Sequence, residues 1–113
     1  MSKLTLNLVQ GAVSFSFSED AALQLQAEIS KLMQSLKAIA STTTGTGSRP
    51  TKQDSMEYRY TGDVFLEIFC NPNIYPSPFA AKILITLRDD RIRLTSEAEL
   101  TQLIEDLNMF LEG

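Results

Sequence analysis

Phe17-Ser18-Glu19-Asp20-Ala21-Ala22-Leu23 and, late in the chain, Leu94-Thr95-Ser96-Glu97-Ala98-Glu99-Leu100 read almost alike. In each, a run of alternating apolar residues ends, a serine hydroxyl follows, acids come next, and an amphipathic pattern opens. Ser18 can cap a helix whose positive N-terminal end suits Glu19 and Asp20. Ser96 with Glu99 has the spacing of a capping box. The sequence therefore predicts two strand-to-helix junctions, a structural signature with no chemistry attached.

Before the first junction, Leu4, Leu6 and Leu8 alternate with Thr5 and Asn7, and Val13, Phe15 and Phe17 alternate with Ser14 and Ser16. Gln10-Gly11 lies between them. Period two on both sides of a glycine predicts an antiparallel hairpin with one buried face. Gln-Gly is a weaker turn signal than Asn-Gly, so the register stays open. After the junction, Ala22, Leu25, Ile29, Leu32, Leu36 and Ile39 form a helical seam that Leu23 and Met33 widen. The stretch 41–54 carries no large apolar residue and is expected to be a flexible polar loop.

Before the second junction, Met56, Tyr58 and Tyr60 alternate with Glu57 and Arg59. Val64 to Cys70 is nearly continuous in apolar residues, as in a central strand covered on both faces. Gly62 between them marks a turn, or a bulge in one long strand. Asn71-Pro72-Asn73-Ile74-Tyr75-Pro76-Ser77-Pro78 is a stiff, extended connection. Ala81 to Leu87 reads as a strand, Asp89-Asp90 as a two-residue turn, and Arg91 to Leu94 as the return. The last helix carries Leu100, Leu103, Ile104, Leu107, Phe110 and Leu111 on one face.

These elements predict an α+β fold of order ββα-loop-ββββα: a two-layer, mainly antiparallel sheet of five or six strands with two helices packed on one face. Residues 1–113 form a single domain. The first helix is expected to cover Leu4, Leu6, Val13 and Phe15, and the last helix Ile83, Ile85 and Leu94. The apolar central strand, Met109-Phe110-Leu111, and Ile74-Tyr75 exceed what a two-layer core needs. A homodimer would cover them.

The formal net charge of −4 and pI of about 4.7 argue against broad binding to nucleic acid or anionic membranes. No run approaches the roughly 20 apolar residues of a membrane helix. Cys70 is the one cysteine, which fits a reducing compartment, and a cytoplasmic location is expected. Histidine is absent, so any catalysis would run without the usual proton shuttle.

Each cluster with chemical promise has a plainer reading. Arg88-Asp89-Asp90-Arg91 with Arg93 could present paired carboxylates, but Asp favours hairpin bends and the flanking arginines would compete with a cation. Cys70 has no histidine to activate it and reads as a small buried hydrophobe. Thr44-Gly45-Thr46-Gly47-Ser48 resembles a phosphate cradle in composition, yet it follows a helix and leads to Arg49-Pro50. Tyr58, Arg59 and Tyr60 could stack on bases, but the net charge opposes this and ordinary sheet packing is the stronger reading.

The final helix segment holds Glu97, Glu99, Glu105, Asp106 and Glu112 and no basic residue. Segments 49–95 and 96–113 carry about +1 and −5, so the charge is polarised. The expected function is a small non-enzymatic protein–protein interaction module: a dimeric accessory, adaptor or assembly-chaperone-like subunit. No cofactor or metal is expected. Ile74, Tyr75, Glu105, Asp106, Met109 and Phe110 are the candidate partner-binding residues. The alternative is a small-molecule sensor, or an enzyme, with a pocket between the sheet and the first helix.

Overall fold

A computed structural model describes residues 2–42 and 52–113. Its order is β1 (Lys3–Leu8), β2 (Gly11–Ser16), α1 (Glu19–Thr42), β3 (Met56–Thr61), β4 (Phe65–Cys70), β5 (Lys82–Arg88), β6 (Arg93–Glu99) and α2 (Leu100–Glu112). Two 3-10 turns, Pro72–Ile74 and Pro78–Ala80, occupy the proline-rich connection. The α+β class and the ββα–ββββα order are those expected. The core of the expected 41–54 loop lies outside the described residues, and α1 itself runs on to Thr42.

The single sheet is corrected to two: a β1–β2 hairpin and a four-stranded antiparallel sheet in the order β3-β4-β5-β6. The two sheets touch where the Val9 amide donates to the Glu97 carbonyl. Beyond that bond α2 takes the place of a further strand rung. The Asp106 carboxylate accepts the Asn7 backbone N–H at 2.8 Å, and its other oxygen accepts the Asn7 side-chain amide at 2.8 Å. An edge amide that would otherwise need a strand partner is thus satisfied by a helix side chain.

The first hairpin turns at Val9-Gln10, because Leu8 pairs with Gly11. Gly11 has φ +104°, a conformation that side-chain-bearing residues rarely adopt. This places the turn one residue earlier than Gln10-Gly11. β3 and β4 are separate strands joined at 62–64, which decides between turn and bulge in favour of the turn. The Tyr60 ring lies over Gly62 so closely that a Cβ there would collide with it.

Both helices cover the same face of the four-stranded sheet. The α1 seam is buried as expected, from Ala22 and Leu25 through Leu36 to Ile39. Each such Leu or Ile contributes about 1.5–3 kcal/mol by leaving water. Leu23 does not widen the seam: it is 48% exposed.

The first hairpin is covered by α2 and not by α1, while α2 also reaches β6, as expected of the last helix. α2 lies chiefly on β1, while α1 reaches β3 and the proline turns. Tyr58 of β3 donates its hydroxyl to the Ala21 carbonyl of α1. Phe17 sits at the crossing, edge-to-face with Phe15, Tyr60 and Phe110 at 5.8, 4.7 and 5.8 Å. The two halves therefore interlock around one shared core. Ile83 and Ile85 are buried in it, but Leu94 is only half-buried.

Candidate functional site

The β4–β5 connection is the most exposed apolar feature with a defined shape. Asn71 caps the first 3-10 turn, accepting the Asn73 backbone N–H through its side-chain oxygen. The Asn73 side-chain amide pairs with Gln53 as a strand neighbour would, accepting its N–H and donating to its carbonyl, both at 2.8 Å. Pro72 and Pro78 fix φ at the start of each turn. On this braced segment Ile74 is 67% exposed and Phe79 86%. Tyr75, between them, is half-buried against the core, and burial pushes its phenol above the ordinary value.

The structure splits the expected partner-binding residues between two places. Ile74 and Tyr75 stand on the proline-rich connection. Glu105 and Met109 are exposed on α2, with Met109 beside Lys3, Thr5 and Asn7 of β1. Phe110 is half-buried in edge contact with Phe17.

Asp106 is not on that surface: it is buried, held by Asn7 and by the Gln102 side-chain amide at 2.9 Å. Phe79, the more exposed of the two apolar residues on this segment, is not among the residues expected from sequence. Its signal was a lone phenylalanine next to Pro78, where no helix or strand period can bury it.

The acidic face of the last helix is smaller than its sequence suggests. β6 continues through Glu99, so Glu97 and Glu99 stand on a strand and only Glu105, Asp106 and Glu112 belong to α2. Ser96 is no cap; its hydroxyl donates to the Glu97 carbonyl within the strand. Glu99 holds the cap position without a side-chain bond.

The remaining clusters follow their plainer readings. Asp89 accepts the backbone N–H groups of Arg91 and Ile92 at 2.8 and 2.9 Å, which holds its carboxyl below the ordinary range. The bend spans Asp89 to Ile92, because pairing closes at Arg88–Arg93; it is longer than the expected two residues. Burial pushes the Cys70 thiol up to about 11 and the Tyr58 phenol up to about 12, so both stay protonated at neutral pH. Tyr58 and Tyr60 point inward while Arg59 points outward to Glu67 at 2.8 Å, so the three do not form one stacking face. The Thr44–Ser48 stretch lies outside the described residues.

Two concave surfaces flank α1. A groove of about 420 Å³ between α1 and α2 has an apolar floor of Ile29, Met33, Ile104 and Leu107, with Lys37 at its rim. A cleft of about 240 Å³ lies where α1 meets the start of β3, lined by Glu28, Lys31, Asp54 and Ser55 among others. Among the described residues no three His, Cys, Asp or Glu side chains group together as a metal site would require, and no helix is long and apolar enough to cross a membrane. No protein-family model, curated protein or solved structure matches the chain.

Proposed function

We propose that this protein is a small non-enzymatic interaction module, a dimeric accessory, adaptor or assembly-chaperone-like subunit of the cytoplasm. One observation carries the reading. Ile74 and Phe79 stand in water on a segment braced by two 3-10 turns and the Asn71–Asn73–Gln53 bonds. An apolar anchor held in one conformation before binding loses little entropy when a partner closes over it. Exposed apolar groups on a flexible tail would not have that advantage. Glu105, in water on α2, adds an acidic group that steers a basic partner toward the molecule.

The test is affinity capture from native lysate of the source cell, with the wild type and the double variant Ile74→Ser/Phe79→Ser as bait. A stoichiometric partner captured by the wild type and lost by the variant is expected. Equal recovery by both, or recovery of nothing by a folded wild type, overturns the reading. A small-ligand sensor is the second reading, favoured by the α1–α2 groove, whose apolar floor and Lys37 would suit an apolar acid.

A further inference from the structure

The outward face of the β3–β6 sheet is covered by neither helix, and large apolar residues sit at its centre among polar ones. Phe65, Phe69 and Leu84 point outward from its two central strands, where an antiparallel sheet open to water usually places polar residues.

The register sorts the flanking charges into rows. Glu57 and Glu97 bracket Phe69 and Leu84 in one row. Phe65, Arg88 and Arg93 lie side by side in another. Between them Arg59 and Glu67 neutralise each other at 2.8 Å. One end of the face is therefore acidic and the other basic, with a phenylalanine in each.

Within the chain this arrangement is unfavourable. Arg88 and Arg93 are direct cross-strand neighbours of like charge. Among the described residues, none of Glu57, Glu97, Arg88 or Arg93 has an ion pair; Arg88 lies instead over the Phe65 ring at 4.4 Å.

We propose that a second copy of this chain covers the face, related by a two-fold axis that runs across the strands along the Arg59–Glu67 row. That rotation exchanges the acidic and basic rows. Phe69 then meets Phe65 of the second copy, and Glu97 meets Arg93, with each contact repeated in reverse. A two-fold axis along the strands would instead set Glu57 against Glu97 and leave Arg88 and Arg93 opposite Phe65 and Thr61, with no acid facing them. The first axis sets Arg59 and Glu67 each opposite its own copy, but as a pair already neutralised within the chain, so charge selects the first axis. Packed sheets cross at roughly 30°, which carries Glu97 toward Arg88 and keeps a guanidinium within reach either way. The pairing supplies the dimer of the proposed function, but it uses a different surface from the Ile74–Phe79 segment.

Sedimentation velocity over a range from low to high micromolar concentration tests it. The wild type is expected to dimerise reversibly. Glu97→Arg alone and Arg93→Glu alone each place like charges across the axis, and each is expected to weaken the dimer about tenfold or more. An equimolar mixture of the two single variants is expected to restore it, because every Glu–Arg contact across the axis is then remade. Restoration also shows that both variants are folded.

A wild type that stays monomeric, a dimer that neither substitution weakens, or single variants that fail to rescue each other overturns the proposal. A monomer that still captures its protein partner sinks this face alone. A dimer of this design with no captured partner sinks the docking segment alone.

Discussion

Ser18 and Ser96 sit at the same point of the same sequence signature, yet one starts a helix and the other stays in a strand. Ser18 accepts the Ala21 N–H at 3.1 Å and its carbonyl accepts the Ala22 N–H at 3.0 Å, so α1 begins at once. Ser96 is paired with Ile85 in mid-strand.

The cause lies in the neighbouring strand. β2 pairs with β1 as far as Lys3–Ser16, and Phe17 adds one bond to Ser2. The Ser18 cap takes up the next amides, and the helix begins there. β6 runs beside β5 as far as the Lys82–Glu99 pair. Its amides are taken until Leu100, whose N–H goes to Ala81 and whose helix then begins. A local cap contributes about 1 kcal/mol, which does not outweigh the three residue pairs of ladder beyond Ser96 and the side chains they align.

The junctions can be pulled apart experimentally, starting with their apolar anchors. Phe17 is fully buried among three rings, whereas Leu94 is half-buried. Phe17→Ala is expected to cost about 3–5 kcal/mol in chemical denaturation. Leu94→Ala is expected to cost about 1 kcal/mol. Equal costs would mean that the two halves do not interlock at Phe17.

Asp106 ties the helix of the second junction to the strand that precedes the first. Removing its carboxylate leaves the Asn7 N–H without an acceptor, so Asp106→Ala is expected to cost about 2–3 kcal/mol by the same measurement. Asp106→Asn keeps one acceptor oxygen and should recover part of the loss. Amide exchange at Asn7 should accelerate in Asp106→Ala by more than global destabilisation accounts for. Unchanged exchange there would remove Asp106 from its role in splitting the sheets.

The serines themselves give the smallest effects. Ser18→Ala is expected to cost about 1 kcal/mol, and Ser96→Ala to fall within about 0.5 kcal/mol of the wild type. A cost at Ser96 matching that at Ser18 would show that both serines cap helices in solution.

Much of the site is legible in the sequence. The Asn71–Pro78 stretch announced a stiff connection, and the continuous apolar run of β4 announced a strand with a second face to cover. Phe65 and Phe69 are the residues responsible. The sequence could not say that Asp106 turns inward, because acids at helical spacing look alike whether they face water or an edge amide. It also could not say that Phe79 stands farther out than Ile74, since exposure in a loop depends on which way a turn is braced.

Local pattern determined the identity of most elements: alternation made β1, β2 and β3, apolar runs made β4 and β5, and the 3-4 spacing from Ala22 to Ile39 made the long helix. Those patterns depend on neighbours a few residues away, which the chain carries with it. Tertiary structure alone decided where β6 ends, which helix covers which hairpin, and why one sheet became two. Each of these turns on a backbone group finding a partner far off in sequence — Val9 with Glu97, Asn7 with Asp106, Leu100 with Ala81 — and such pairings exist only once the chain has folded.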